Sequence, residues 1–304
     1  MNLIYKYVSR TDFLQNGFFR FTQPNELNDP FEVRPRVLIN KYAPEDYERA
    51  QAEAAEIVDP NDLPKGELEA IFMDPWPSHR FDEKSFPGLS PYHRPDLREE
   101  PFKSIEEFDR FIADTARNKF IEEANKTIGI FCLTRNPHSL LMWAHYANGH
   151  KGMLLAFNQD HDFFKRGGGL YPVEYRKEPV SITSMGGLRR FCGLQFEDSM
   201  QFYIRALLRK HTDWEYEDEF RMFLPLEEFD ERVMHNPSVH LLHIPTEALR
   251  EIILGARMSE DDANVIRKIV SEDPRWGHVR LFHAELNEQD MPLNYLEDKG
   301  ITGH

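Results

Sequence analysis

The stretch 128–157 restricts the possible folds of this 304-residue chain more than any other. It opens Ile-Gly-Ile-Phe-Cys-Leu-Thr and closes Gly-Met-Leu-Leu-Ala-Phe, with Arg-Asn-Pro-His-Ser-Leu-Leu-Met-Trp-Ala-His-Tyr-Ala-Asn-Gly-His-Lys between. Short apolar runs bounded by Gly and Pro are strand signals, so 128–134 and 152–157 are predicted to be buried strands. The text between them predicts a helix over about 138–147, stopped by Asn148-Gly149, which tolerate left-handed backbone. That stop throws His150 and Lys151 onto the following loop. Trp143, His145, Tyr146, His150 and Lys151 give this connector more functional side chains than a structural link needs, and sites favour polar loops on rigid scaffolds.

Around this centre the chain reads as short strands with few long helices. Strands are predicted at 3–7, 18–22, 170–176, 219–224, 238–244, 251–254 and 278–284, with helices at 9–16, 197–211 and 259–271. Pro172 marks 170–176 as an edge strand or a bulge. Between 41 and 127 the character changes. A charged Ala-rich helix is followed by a Pro-rich irregular tract at 58–103, then by a capping box, Ser104 to Glu107, opening a helix to about 125. A tract of that length reads as a lid, a partner-docking arm or a packed loop. The expected fold class is α+β: one domain over 1–304 with a mainly antiparallel, split β-sheet core, flanking helices and a helical insertion at about 41–127.

Composition narrows the classes of function. A formal net charge of −15 argues against broad binding of duplex nucleic acid, which needs clustered cations on phosphates. No apolar run approaches the roughly 20 residues of a membrane span, and the opening residues resemble no secretory leader. With only Cys132 and Cys192, a disulfide framework is not expected and the cytoplasm is the expected compartment. The 13 histidines fall in no zinc-ligand spacing, so no metal is expected. Phosphate-cradling Gly loops and the nucleophile elbow are absent as well.

Two polar stretches remain. Asn28-Asp29 before Pro30 can close an Asx-turn. Trp214-Glu-Tyr-Glu-Asp-Glu-Phe-Arg221, taken as extended over 215–223, puts Glu215, Glu217, Glu219 and Arg221 on one face. Carboxylates two positions apart on a strand lie about 7 Å from each other, so they need a cation, for which Arg221 and Lys210 are the nearest candidates. The plain alternative is a solvated acidic edge.

Together these blocks resemble an uncharacterised bacterial family, the domain of unknown function numbered 2971. The resemblance rests on Ile4 to Tyr7, Phe19 to Thr22, Leu27-Asn-Asp-Pro-Phe-Glu32, Ile130 to Thr134, Leu141-Met-Trp-Ala-His-Tyr-Ala147, Gly149-His-Lys-Gly152, Trp214 to Arg221 and Ile252 to Gly255. It implies no established activity. A looser similarity of layout is to ADP-ribosyltransferases, with Lys6 or Tyr7 at a first motif, Thr134 at a second and Glu217 or Glu219 at an acidic third. The second similarity implies an enzyme that binds NAD or a related nucleotide and acts at its N-glycosidic bond, as bacterial toxins and phage-defence effectors do. In that reading Glu217, Glu219 and His145 are the catalytic candidates. Lys6, Tyr7, Asn28, Asp29, Thr134, Trp143, Tyr146, His150, Lys151 and Arg221 are the ligand-binding candidates, with Trp143 and Tyr146 stacking on the base. Two other readings stand beside it: a non-catalytic module sensing a nucleotide or protein partner, and a metal-dependent nuclease built on Asp29, Glu217 and Glu219. If the acidic and central stretches share a pocket, at least one His should titrate above about 6.5.

Overall fold

The computed structural model describes residues 2–38, 124–183, 205–233, 239–286 and 293–298, with parts of 114–122. The tract 58–103, the capping box at Ser104 and Cys192 lie outside the described residues, as does most of the expected 41–127 insertion.

In chain order the elements begin with β1 (Leu3–Val8), α1 (Phe13–Asn16), β2 (Phe18–Phe21), β3 (Arg36–Leu38), β4 (Ile128–Thr134), α2 (Leu140–Tyr146) and β5 (Met153–Asn158). Then come β6 (Tyr171–Pro172), β7 (Glu174–Tyr175), β8 (Ser181–Thr183), β9 (Arg209–Lys210), β10 (Glu219–Pro225), β11 (Glu231–Val233) and β12 (Val239–His243). The last are β13 (Leu249–Leu254), α3 (Glu260–Glu272), β14 (Arg280–Leu286) and β15 (Leu293–Glu297). By its internal contacts the chain divides into two compact units, the first Met1–Gln23, Ile128–Tyr175 and Thr212–His304, the second Pro24–Thr127 and Arg176–His211.

The first unit holds an eight-stranded sheet in the order β15-β14-β13-β5-β1-β4-β10-β6. Only β13 and β14 run parallel in it, so the sheet is mainly antiparallel and the α+β class holds. A separate three-stranded sheet, β11-β12-β2, completes the split arrangement. β5 is almost continuously buried because both faces of the sheet are covered. On one face Ile4, Phe131, Leu155, Phe157, Met222 and Ile252 pack with Phe19, Ile266 and Trp276. On the other, Tyr7, Leu154, Ala156, Ile253 and Ala284 pack under Met142 and Trp143 of α2. Pro172, in the terminal strand β6, lies at the sheet edge, where its missing N–H is tolerated.

Ser139 caps α2 by accepting from the Met142 N–H at 3.3 Å. The helix stops in three successive left-handed residues, Asn148, Gly149 and His150, with φ of 50°, 62° and 69°. The His150 N–H returns to the Trp143 carbonyl at 3.1 Å, so the stop leaves no orphan donor there. Gly152 then passes so close to β1 that an added Cβ would sit 2.2 Å from the Val8 carbonyl oxygen.

Several expectations need correction. The helix expected over 9–16 covers only Phe13–Asn16. The strand expected over 170–176 is two short pieces, because the Val173 N–H turns to the Glu219 carbonyl at 2.9 Å. Residues 215–217 are not extended: Thr212–Glu217 is a 3-10 helix, and the strand begins at Glu219. β15 was not foreseen. In the second unit β3 and β8 pair in parallel. Asp29 makes the expected Asx-turn, its Oδ1 accepting from the Phe31 N–H at 2.9 Å. Lys210 pairs with Glu32 at 3.3 Å, both side chains being almost wholly buried.

Candidate functional site

Strand alternation assigns the polar side chains to one face of the first unit. Phe131 and Leu133 of β4, and Phe220, Met222 and Leu224 of β10, face the first core. Cys132, Thr134, Glu219 and Arg221 therefore face the α2 side. Register sets Thr134 opposite both Glu219 and Tyr5, and Cys132 opposite Arg221.

Arg221 is fully buried, and its guanidinium forks onto Glu219, Nε to Oε1 at 2.8 Å and Nη2 to Oε2 at 3.0 Å. This is the bidentate geometry that makes Arg a strong carboxylate partner. The Cys132 thiol also bonds to Glu219, and burial, then Glu219, push that thiol far above its ordinary range. A thiol so held is protonated at neutral pH.

Glu217 is buried beside this pair because its turn is pinned from β4. The Thr134 hydroxyl donates to the Glu217 carbonyl, and Asn136 Nδ2 donates to the Tyr216 carbonyl at 3.1 Å. Asp218 takes a left-handed φ of 40°, which lets the chain leave the turn and enter β10. The Glu217 side chain accepts from the Tyr146 hydroxyl at 2.6 Å. Burial first, and Glu217 second, push the Tyr146 phenol well up, so it remains a donor. Tyr146 itself is half-buried. Its hydroxyl joins the buried carboxylate to the partly exposed surface of α2.

The predicted residues thus fall into groups. Thr134, Tyr146, Glu217, Glu219 and Arg221 come together in one network. Tyr7 lies against it, donating to the Asn136 carbonyl at 3.0 Å. Lys6 projects from the opposite side of β1, its Nζ 4.3 Å from the Phe131 ring centroid and 2.8 Å from the Cys132 carbonyl. Burial lowers its pKa, against the raising effects of Cys132 and Glu219.

Trp143 does not present a stacking face: it is wholly buried, with Tyr7 edge-on at 5.3 Å and His150 stacked at 6.0 Å. Its Nε1 donates to the Tyr295 hydroxyl at 3.3 Å. His145 and Lys151 are exposed. The His145 ring lies 6.3 Å from Tyr146. Burial and the Arg257 charge lower the His150 pKa, so His150 is not the raised imidazole expected of a shared pocket. Asn28 and Asp29 belong to the second unit. Among the described residues no group of three or more His, Cys, Asp and Glu side chains is arranged to hold a metal ion.

Sequence reasoning passed over Asn136, Tyr216 and Tyr295. For Asn136 a signal existed: Asn before Pro forms an Asx-turn, here with Asn136 Oδ1 accepting from the His138 N–H at 3.2 Å. Tyr216 and Tyr295 gave no such signal.

One comparison bears on this arrangement. Residues 142–222 match the family model for Protein of unknown function (DUF2971). The resemblance to that family holds over this stretch. The matched segment runs from within α2 to within β10 and so carries Trp143, His145, Tyr146, His150, Lys151, Glu217, Glu219 and Arg221. Thr134 and Asn136, which pin the Glu217 turn, lie just before the matched segment. No curated protein and no solved structure matches the chain. Among the described residues no helix is long and apolar enough to cross a membrane.

Proposed function

We propose that the network around Glu217 belongs to an enzyme that binds NAD or a related nucleotide and acts at its N-glycosidic bond. The observation that carries this reading is the pairing of unlike carboxylates. Glu219 is locked by Arg221, whereas Glu217 is bonded to the half-buried hydroxyl of Tyr146. Each oxygen of a carboxylate accepts about two hydrogen bonds, and in the proposed complex a ribose hydroxyl donates to Glu217. As the C1′–N bond breaks, its electron pair leaves with the nicotinamide, and positive charge grows on the ribose. A fixed carboxylate stabilises that charge because its orientation is set before the reaction. Water, or a hydroxyl or carboxylate of an acceptor, then attacks C1′ and loses its proton to solvent. With water the products are ADP-ribose, nicotinamide and a proton. An enzyme of this kind would act as a toxin or a phage-defence effector by depleting NAD or modifying an acceptor.

Purified protein incubated with NAD should release nicotinamide, and Glu217→Gln should abolish release while keeping the thermal midpoint within about 3 °C of the parent. No turnover with any nicotinamide dinucleotide, together with no thermal shift on its addition, would sink the reading. The closed Glu219–Arg221 fork favours a second reading, a nucleotide- or partner-sensing module without chemistry, in which the pair only holds β10 in shape. Glu217→Gln would then leave ligand binding nearly unchanged in a protein that never turns over.

A further inference from the structure

An open cavity of about 510 Å³ lies in the first unit, lined by Asn2, Leu3, Tyr5, Arg135, Pro137 and Gln159. Its volume falls within the range of small-molecule pockets. We propose that this cavity is a subsite for a nucleoside diphosphate, with Arg135 on the phosphates and the aromatic ring of the base between Tyr5 and Pro137. The proposal rests on the proposed function for its place in a reaction, but its binding chemistry stands alone.

Arg135 is exposed and has no ion-pair partner among the described residues, in a chain of net charge −15. Its guanidinium lies 4.2 Å from the Phe220 ring centroid, and its backbone N–H is tied to the Asp218 carbonyl at 3.2 Å. The ring contact limits where the cation can go and the backbone bond fixes the main chain that carries it, which lowers the entropy cost of holding an anion. Tyr5 is half-buried and offers part of its ring surface, while Pro137 is a second flat, rigid surface. The amides of Asn2 and Gln159 supply both donors and acceptors for a base edge. Position joins this cavity to the carboxylates, because Tyr5 pairs with Thr134 and Thr134 pairs with Glu219. Neighbouring strands lie about 4.8 Å apart. A dinucleotide seated by its diphosphate at Arg135 can therefore extend its remaining ribose along that row.

Calorimetric titration with ADP tests the site directly. The parent protein should bind ADP, adenosine should bind more weakly, and Arg135→Glu should lose at least about tenfold in ADP affinity while its affinity for adenosine is unchanged. Arg135→Lys should recover most of the ADP affinity, since it restores the charge. Glu217→Gln should bind ADP within about twofold of the parent. ADP binding that depends on Arg135 in a protein that never releases nicotinamide would support the subsite and overturn the enzymatic reading. Equal ADP affinities for the parent and Arg135→Glu, or no ADP binding at all, would overturn the subsite, even if nicotinamide is released.

Discussion

Arg221 carries a charge with no exposure to water, and Glu219 is its bidentate partner. Arg221→Met strands the carboxylate and should cost ~3–5 kcal/mol in urea unfolding, whereas Arg221→Met with Glu219→Leu should recover most of that loss. If the double variant is no more stable than the single one, the pair is not the main cause of the penalty. His150 gives a pH signature. Its folded-state pKa lies below the ordinary 6.5, so the unfolded chain takes up the proton first as the pH falls. Stability is therefore whole above pH 6.5 and declines below it. Asn tolerates left-handed backbone, so His150→Asn keeps the turn and should flatten the decline below pH 6.5 relative to the parent. Parallel curves for the two proteins would rule out this role. At this scale the pairing of Glu219 with Arg221 was legible, because residues two positions apart on a strand share a face. The setting of Glu217 was not, because the bond that pins its turn comes from Asn136, distant in the chain. Nor was the burial of Trp143, since a helix too short to show a periodic stripe does not say which aromatic faces inward.

Elements bounded by local chemistry were legible nearly to the residue. β4 spans Ile128–Thr134 as expected, α2 falls within the predicted 138–147, and β5 is shifted by one residue at each end from the predicted 152–157, with Pro137, Asn148 and Gly152 as the punctuation. β15 was missed because its five residues alternate only weakly and owe their place to the ladder with β14. Residues 215–217, the end of the 3-10 helix Thr212–Glu217, read as extended because an acidic-aromatic alternation imitates period two. The turn between α2 and β5 has little slack. Its Gly152 carbonyl accepts the Gly255 N–H at 2.9 Å, and the adjoining backbone of Val8 leaves no room for a methyl group. Gly152→Ala sets one backbone against another, so no rotamer change relieves it. A loss above ~4 kcal/mol is expected, seen as insoluble expression or collapse of the near-UV circular dichroism. A soluble variant with a parent-like thermal midpoint would show that the turn can shift.

Over the whole molecule, 52 acidic residues against 37 Lys and Arg leave a charge of −15. Self-repulsion of that size destabilises a compact chain. Raising the ionic strength from ~0.01 M to ~0.15 M shortens the screening length from ~30 Å to ~8 Å. The thermal midpoint should therefore rise by a few degrees, about 2–4 °C for each kcal/mol gained in a chain of this size. A fall would mean that attractive pairs such as Arg267 with Asp298 outweigh the repulsion. The order of the large sheet bears on how the chain is made. β1 lies between β5 and β4, with Leu3 opposite Asn158 and Val8 opposite Met153. A ribosome adding ~5–20 residues per second needs roughly 8–30 s to deliver those partners. Through that interval the nascent Leu-Ile-Tyr-Lys-Tyr-Val segment has both edges open to other chains. Lys6 is its single charge, and one charge within a β-prone run is a known guard against aggregation. In cell-free synthesis without chaperones, Lys6→Met should yield more aggregate and less soluble chain than the parent, while chains already folded should differ little in solubility. The lysine whose burial is costly in the finished sheet would then have its use before the sheet exists.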